Sequence, residues 1–127
     1  MQSAKVLSTS MPTPTEIRLH QKSRVLEIAF DDGRAFRLPY EYLRVYSPSA
    51  EVRGHGPGQE VLQVGKRDIE IRHVEPVGSY AIQPTFSDEH ATGIYSWEYL
   101  YDLGVKREPN WKAYLARLAQ AGKSREP

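Results

Sequence analysis

The stretch Arg24-Val25-Leu26-Glu27-Ile28-Ala29-Phe30-Asp31-Asp32-Gly33-Arg34-Ala35-Phe36-Arg37-Leu38 decides the fold. Leu26, Ile28 and Phe30 recur with period two, so they share one face of a strand. Asp31-Asp32-Gly33-Arg34 predicts a hairpin turn, with Gly33 supplying the positive φ. Ala35 to Leu38 returns as a second strand with Phe36 and Leu38 inward. Upstream, Glu16 to His20 alternates polar and apolar residues, the pattern of a half-buried strand. Downstream, Pro39 opens a short helix running to about Tyr46, with Leu43 and Tyr46 on one face.

Farther along, Ser47 to Glu60 holds three glycines and two prolines and predicts an irregular loop. Val61 to Val64 predicts a short strand. Asp68 to Val74 predicts another, with Ile69, Ile71 and His73 on one side. Tyr80 to Phe86 is a further strand, and Pro84 within it points to an edge or an irregularity. Ser96 is placed as the N-cap of a helix with Trp97, Leu100 and Tyr101 as its apolar stripe. Trp97 is expected in the core. That helix should end near Leu103, with Gly104 beyond it. Asn110 should cap a second helix carrying Trp111, Tyr114, Leu115 and Leu118 on one face and closed by Gly122.

These elements predict an α+β fold with a mostly antiparallel sheet and two or three short helices. The expected organisation is a disordered arm over 1–14, a folded domain over 15–104, a helical extension over 105–122 and a frayed tail over 123–127. Met11 is a second candidate start, because the first strand pattern begins only at Thr15.

Composition narrows the function. The 127 residues contain no cysteine, which excludes disulfides, thiolate catalysis and Cys-ligated zinc or iron–sulfur clusters within this chain. A cysteine-free chain also fits a reducing cytoplasm. Seventeen basic and sixteen acidic residues are interspersed, giving net charge +1 and no basic stripe of the kind nucleic acid requires. No apolar run approaches the ~20 residues that span a bilayer. The expectation is therefore no nucleic-acid or membrane partner.

Two further segments carry a resemblance. They are Leu43-Arg44-Val45-Tyr46-Ser47-Pro48-Ser49-Ala50 and Phe86-Ser87-Asp88-Glu89-His90-Ala91-Thr92-Gly93-Ile94-Tyr95-Ser96-Trp97, supported by Val77-Gly78-Ser79-Tyr80-Ala81. Together they resemble the N-terminal domain of gamma-butyrobetaine hydroxylase and its stand-alone bacterial relatives of unknown function. In the hydroxylase branch a Cys-Pro-Cys run and a further Cys follow the Leu-Arg helix, and a His in the second segment completes a zinc site. Here the corresponding positions read Ser47, Ser49, Val52 and His90, so the zinc ligands are lost save one. The resemblance implies a small non-catalytic module attached to iron–sulfur or 2-oxoglutarate oxygenase machinery, with a protein partner and no cofactor. It covers an accessory domain and not the hydroxylase's catalytic jelly roll, so no stand-alone enzyme is expected. A monomer or weak dimer is expected, with an exposed edge strand as the dimer route.

The remaining candidates are weighed against plainer readings. A serine hydroxyl stays protonated near neutral pH and ligates zinc poorly, so Ser47-Pro48-Ser49 reads as a hydrogen-bonded turn. Asp88, Glu89 and His90, with His55, offer a second metal possibility, since two histidines and a carboxylate are an iron-binding pattern. Acidic residues in exposed loops are commonplace, however. His73 reads as a boundary residue, and nothing in the sequence organises His20. The run Arg53-Gly54-His55-Gly56-Pro57-Gly58-Gln59 invites a phosphate loop but lacks the Lys-Ser/Thr ending. No Gly-x-Ser-x-Gly elbow occurs. Tyr95, Tyr99 and Tyr101 crowd the start of one helix and form the candidate binding surface, against the plainer reading of tyrosines at the core boundary.

Overall fold

The computed structural model describes residues 11–127. Residues 1–10 of the expected disordered arm lie outside the described residues. The hairpin read from the sequence is the centre of the first sheet. β1 (Pro14–His20), β2 (Val25–Phe30) and β3 (Ala35–Pro39) pair antiparallel in that order. Leu26 faces Leu38 and Ile28 faces Phe36 across the ladder, and Gly33 turns it at φ 89°. Leu26, Ile28, Phe30 and Leu38 are all buried, so the period-two pattern marks the inward face.

α1 (Tyr40–Val45) follows directly from β3. The loop after it is not wholly irregular. Ser49 accepts the backbone N–H of Glu51 through its Oγ at 3.2 Å and starts a four-residue helix, α2 (Ala50–Arg53). Residues 61–64 form no strand. A second antiparallel sheet follows, of β4 (Ile71–Val77), β5 (Ala81–Phe86) and the two-residue β6 (Tyr95–Ser96). Both sheets, with α1 and α3 (Trp97–Val105), enclose one core that includes Phe86, Tyr95, Leu100 and Leu103. The fold is α+β, as expected, with four helices among the described residues instead of two or three.

The departures from the sequence reading have local causes. The β4–β5 register shifts between Ile71 and His73, so the alternation flips and His73 is exposed. Pro84 lies in the middle strand of its sheet, but β6 pairs only with Ala81 and Ile82. Beyond Ile82 that side of β5 is an edge in all but name, which is where proline is tolerated. Gly104 lies inside α3 rather than after it. A Cβ there would sit 2.4 Å from the Phe36 ring, so its bareness serves helix–sheet contact and not a helix stop.

Only Lys106 separates α3 from α4 (Arg107–Ala121). Asn110 is therefore inside α4 and caps nothing. Its Nδ2 donates to the Tyr42 hydroxyl at 3.0 Å. Pro109 fits in the first turn, where backbone N–H groups have no helical acceptor. Gly122 does close α4, in the left-handed conformation at φ 65°. Trp97 is only half buried and donates its indole N–H to the Ser79 carbonyl at 2.8 Å, so it bounds the core instead of filling it. The tail over 123–127, expected to fray, is docked. Arg125 makes two 2.7 Å bonds to the buried Glu41, and the backbone N–H of Arg67 donates to the Arg125 carbonyl at 3.0 Å.

Candidate functional site

The turn after α1 and the β5–β6 connection meet at the positions that the resemblance matches to zinc ligands. Ser47 Oγ lies 2.8 Å from His90 Nε2, and His90 Nδ1 lies 3.2 Å from Glu51 Oε1. Ser47 Oγ also accepts the backbone N–H of Ser49 at 3.2 Å. Ser49 Oγ lies 2.7 Å from the Thr92 hydroxyl, which donates in turn to Glu51 at 3.3 Å. Val52 is buried and lines the cleft beside Ser47. One hydrogen-bonded cluster thus joins two segments more than forty residues apart in sequence.

Asp88 anchors the second segment. Its Oδ2 accepts from Arg44 Nε at 2.9 Å and from Lys66 Nζ at 2.6 Å. Its Oδ1 accepts the His90 backbone N–H at 3.2 Å. Burial pushes the Asp88 carboxyl up, but Lys66, the His90 N–H and Arg44 outweigh it and hold the group down at about 2. Arg44 Nη1 is buried and has no hydrogen-bond partner among the described residues. Burial and the Arg44 charge hold the His90 imidazole below its ordinary value, against the opposing pull of Glu51 and Asp88. The ring is thus neutral near pH 7. Nδ1 then donates to Glu51, and Nε2 accepts the Ser47 proton.

Ser47, His90 and Glu51 stand in the order of a hydrolytic triad, but the setting is wrong for catalysis. Ser47 is only 1% exposed. Gly93 covers its hydroxyl so closely that a Cβ there would come within 2.5 Å of it. No substrate carbonyl can reach the oxygen, and the Ser49 backbone N–H that bonds it is spent on the ground-state hydroxyl. The glutamate, which should be the buried orienter, is the exposed member.

The cluster does not fit zinc either. Two hydroxyls, an apolar side chain and one imidazole are a poor donor set where thiolates would be needed. The other metal reading also fails to assemble. Asp88 is committed to two cations, while Glu89 turns outward at φ 72° and its carboxylate meets Arg72 at 2.9 Å. His55 is exposed on the glycine loop. Among the described residues no three His, Asp or Glu side chains group to hold a metal ion.

The tyrosines have a different role from the one expected. Tyr95 is wholly buried, and this corrects its placement on a surface. Its hydroxyl donates to the Leu43 carbonyl at 2.5 Å, and that of Tyr99 to the Tyr46 carbonyl at 2.5 Å. Tyr42 donates to Leu103 near the end of α3 at 2.7 Å. Carbonyls in the last turn of a helix have no helical donor, so these phenols supply one. Within the crowded stretch 95–101, Tyr95 and Tyr99 thus cap the end of α1. Tyr99 and Tyr101 are half buried, and Tyr101 donates to Asp32 at 2.6 Å. The exposed tyrosine is Tyr80.

The geometry agrees with what the chain is similar to. The pattern of the family described as gamma-butyrobetaine hydroxylase-like, N-terminal, matches residues 17–101. The chain belongs to that family. A protein of unknown function from Acidithiobacillus ferrooxidans ATCC 23270, in the DUF971 family, is 42% identical with a TM-score of 0.63 over 75% of this chain and 98% of its own. Two proteins solved by NMR are more alike. One is 46% identical at TM-score 0.80, covering 93% of each chain, and the other 50% identical at 0.80, covering 94% of this chain and 89% of its own. A biotin synthase from Bacillus cytotoxicus is 29% identical over 82 residues. That match covers 61% of this chain and 24% of the enzyme's length, so the likeness transfers no activity.

Stability should depend on pH through this cluster. Both Asp88 and His90 bind protons less readily folded than unfolded. Each therefore contributes stability above its unfolded pKa that is lost as pH falls through the folded one. His90 should cost stability below about 6.5, and Asp88 should cost about 1 kcal/mol more between about pH 4 and 2 after allowance for solvent screening. Urea midpoints measured down this range should show both losses, and His90→Gln should remove the upper one. A midpoint indifferent to pH between 8 and 5 would contradict the neutral, buried imidazole.

Proposed function

We propose that this domain is a small non-catalytic module that works by binding a partner protein, accessory to iron–sulfur or 2-oxoglutarate oxygenase machinery. The observation that carries the reading is the closure of the Ser47–His90 cluster. Both ring nitrogens of His90, both serine hydroxyls and the Asp88 carboxylate are taken up by contacts within the chain. What persists is a rigid frame, which a binding role uses and a metal role would not. Membership of a family named for the N-terminal part of a hydroxylase supports an accessory position. The module acts in the cytoplasm, as a monomer or weak dimer, consistent with a cysteine-free chain and with β1 and β4 at open sheet edges.

No helix among the described residues is long and apolar enough to cross a membrane. Crosslinking followed by affinity purification from the native cell tests the reading. An iron–sulfur or oxygenase protein should be recovered in near-equal amount, and its yield should not change with EDTA. Recovery of the chain alone, or turnover of a substrate by the isolated chain, would contradict it.

A further inference from the structure

A cleft beside the serine–histidine cluster opens between α2, the 54–61 loop, the end of α1 and α4. It encloses about 510 Å³, within the range that small-molecule sites occupy. Tyr46, Val52 and Tyr99 supply apolar walls, and Arg53 and Arg117 supply cationic ones, with the His55 imidazole beside them.

The charge of this cleft is unbalanced. Several arginines elsewhere are matched, as Arg44 is by Asp88, Arg72 by Glu89, Arg67 by Glu126 and Arg125 by Glu41, while Arg34 lies over aromatic rings and Arg107 donates to the Arg37 carbonyl. Neither Arg53 nor Arg117 has a carboxylate within 4 Å among the described residues. Glu60 also lines the cleft, but its carboxylate accepts the Gly58 N–H of its own loop at 3.4 Å. One anion therefore faces two guanidinium groups and an imidazole.

Arg53 is held in place. The Arg53 guanidinium lies over the Tyr99 ring at 5.1 Å, and that ring is tethered by its hydroxyl to the Tyr46 carbonyl. Arg117 is half buried on α4. Side chains fixed before binding lose less entropy when a ligand arrives. The planar fork of arginine also matches a carboxylate or phosphate in two-point contact.

We propose that this cleft binds a small molecule bearing a carboxylate or phosphate on an apolar or aromatic body. Arg53 and Arg117 take the oxyanion, and Tyr46, Val52 and Tyr99 take the body. The site goes beyond the protein-binding role, and it joins the family's own segment to the C-terminal helix, since Arg117 lies outside residues 17–101.

The test is an NMR titration of the full chain at low salt with phenyl phosphate, benzoate, inorganic phosphate and phenol. Phenyl phosphate or benzoate should shift the resonances of Arg53, Tyr99 and Arg117 and saturate. The tighter of the two identifies the head group. Inorganic phosphate and phenol should each bind more weakly than the compound that combines head and body. Arg53→Gln and Arg117→Gln, made separately, should each weaken binding about tenfold or more with unchanged thermal unfolding. Absence of saturation with every probe, phenol binding as well as benzoate, inorganic phosphate binding as well as phenyl phosphate, or undiminished affinity in both variants would overturn the proposal.

Discussion

Tyr95→Ala is expected to destabilise the protein by about 3–5 kcal/mol, the range for deleting a fully buried aromatic ring. The ring is inaccessible to solvent and packs near Tyr99 with centroids 6.1 Å apart. Its hydroxyl is the donor for Leu43, and burial holds the phenol well above its ordinary pKa, so it stays protonated and able to donate. Tyr95→Phe separates the two contributions. It keeps the ring but leaves the Leu43 carbonyl without that donor, which should cost about 1–3 kcal/mol. Urea unfolding of both variants checks this. A loss below 1 kcal/mol for Tyr95→Ala would mean that the helix ends do not depend on this residue.

The second large effect concerns the metal that the resemblance implies. Ser47→Cys, Ser49→Cys and Val52→Cys together should create a three-cysteine, one-histidine site with His90. The side chains of Ser47 and His90 already meet at 2.8 Å, so the two segments need no rearrangement to share an ion. Zinc in ~100-fold excess over its dissociation constant should then raise stability by about 2.7 kcal/mol. Adding His90→Ala to the triple variant should sharply weaken the binding. Zinc affinity indifferent to His90→Ala would show that the ion is held by the cysteines elsewhere, and that the two segments do not form one site.

How legible these features were varied with the range of the interaction. The β2–β3 hairpin was readable because its pattern is local: one face repeats every second residue and a glycine sits where the turn needs positive φ. Ser96 as an N-cap was readable for the same reason, and its Oγ accepts the Tyr99 N–H at 3.1 Å. His73 was misplaced because a register shift is a property of two strands together. Gly104 and Asn110 were read as a helix stop and a helix start by residue type. Their actual neighbours, Phe36 and Tyr42, lie about seventy positions away in the chain.

The candidate site was half legible. Ser47, Ser49, Val52 and His90 came from matching positions to the family, and the structure brings the serines and the histidine into one network. Glu51 was missed, although an acidic residue two positions after a serine cap is a visible sign of a helix start. Thr92, Lys66 and Arg44 gave no local signal, because each takes part through a contact across the fold. The tyrosines drew attention for the right reason and the wrong role. Sequence shows that they crowd together, but only the helix carbonyls in space show what their hydroxyls are for.

The central claim is that hydrogen bonds among Ser47, Ser49, Glu51, His90 and Thr92 hold the two segments together where relatives are expected to use zinc. Equilibrium urea unfolding of the natural chain, with and without EDTA, tests it most directly. A domain held by structural zinc loses its fold when a chelator removes the ion. The two curves should superimpose in midpoint and slope; a midpoint lowered by EDTA, and restored by added zinc, would contradict the account.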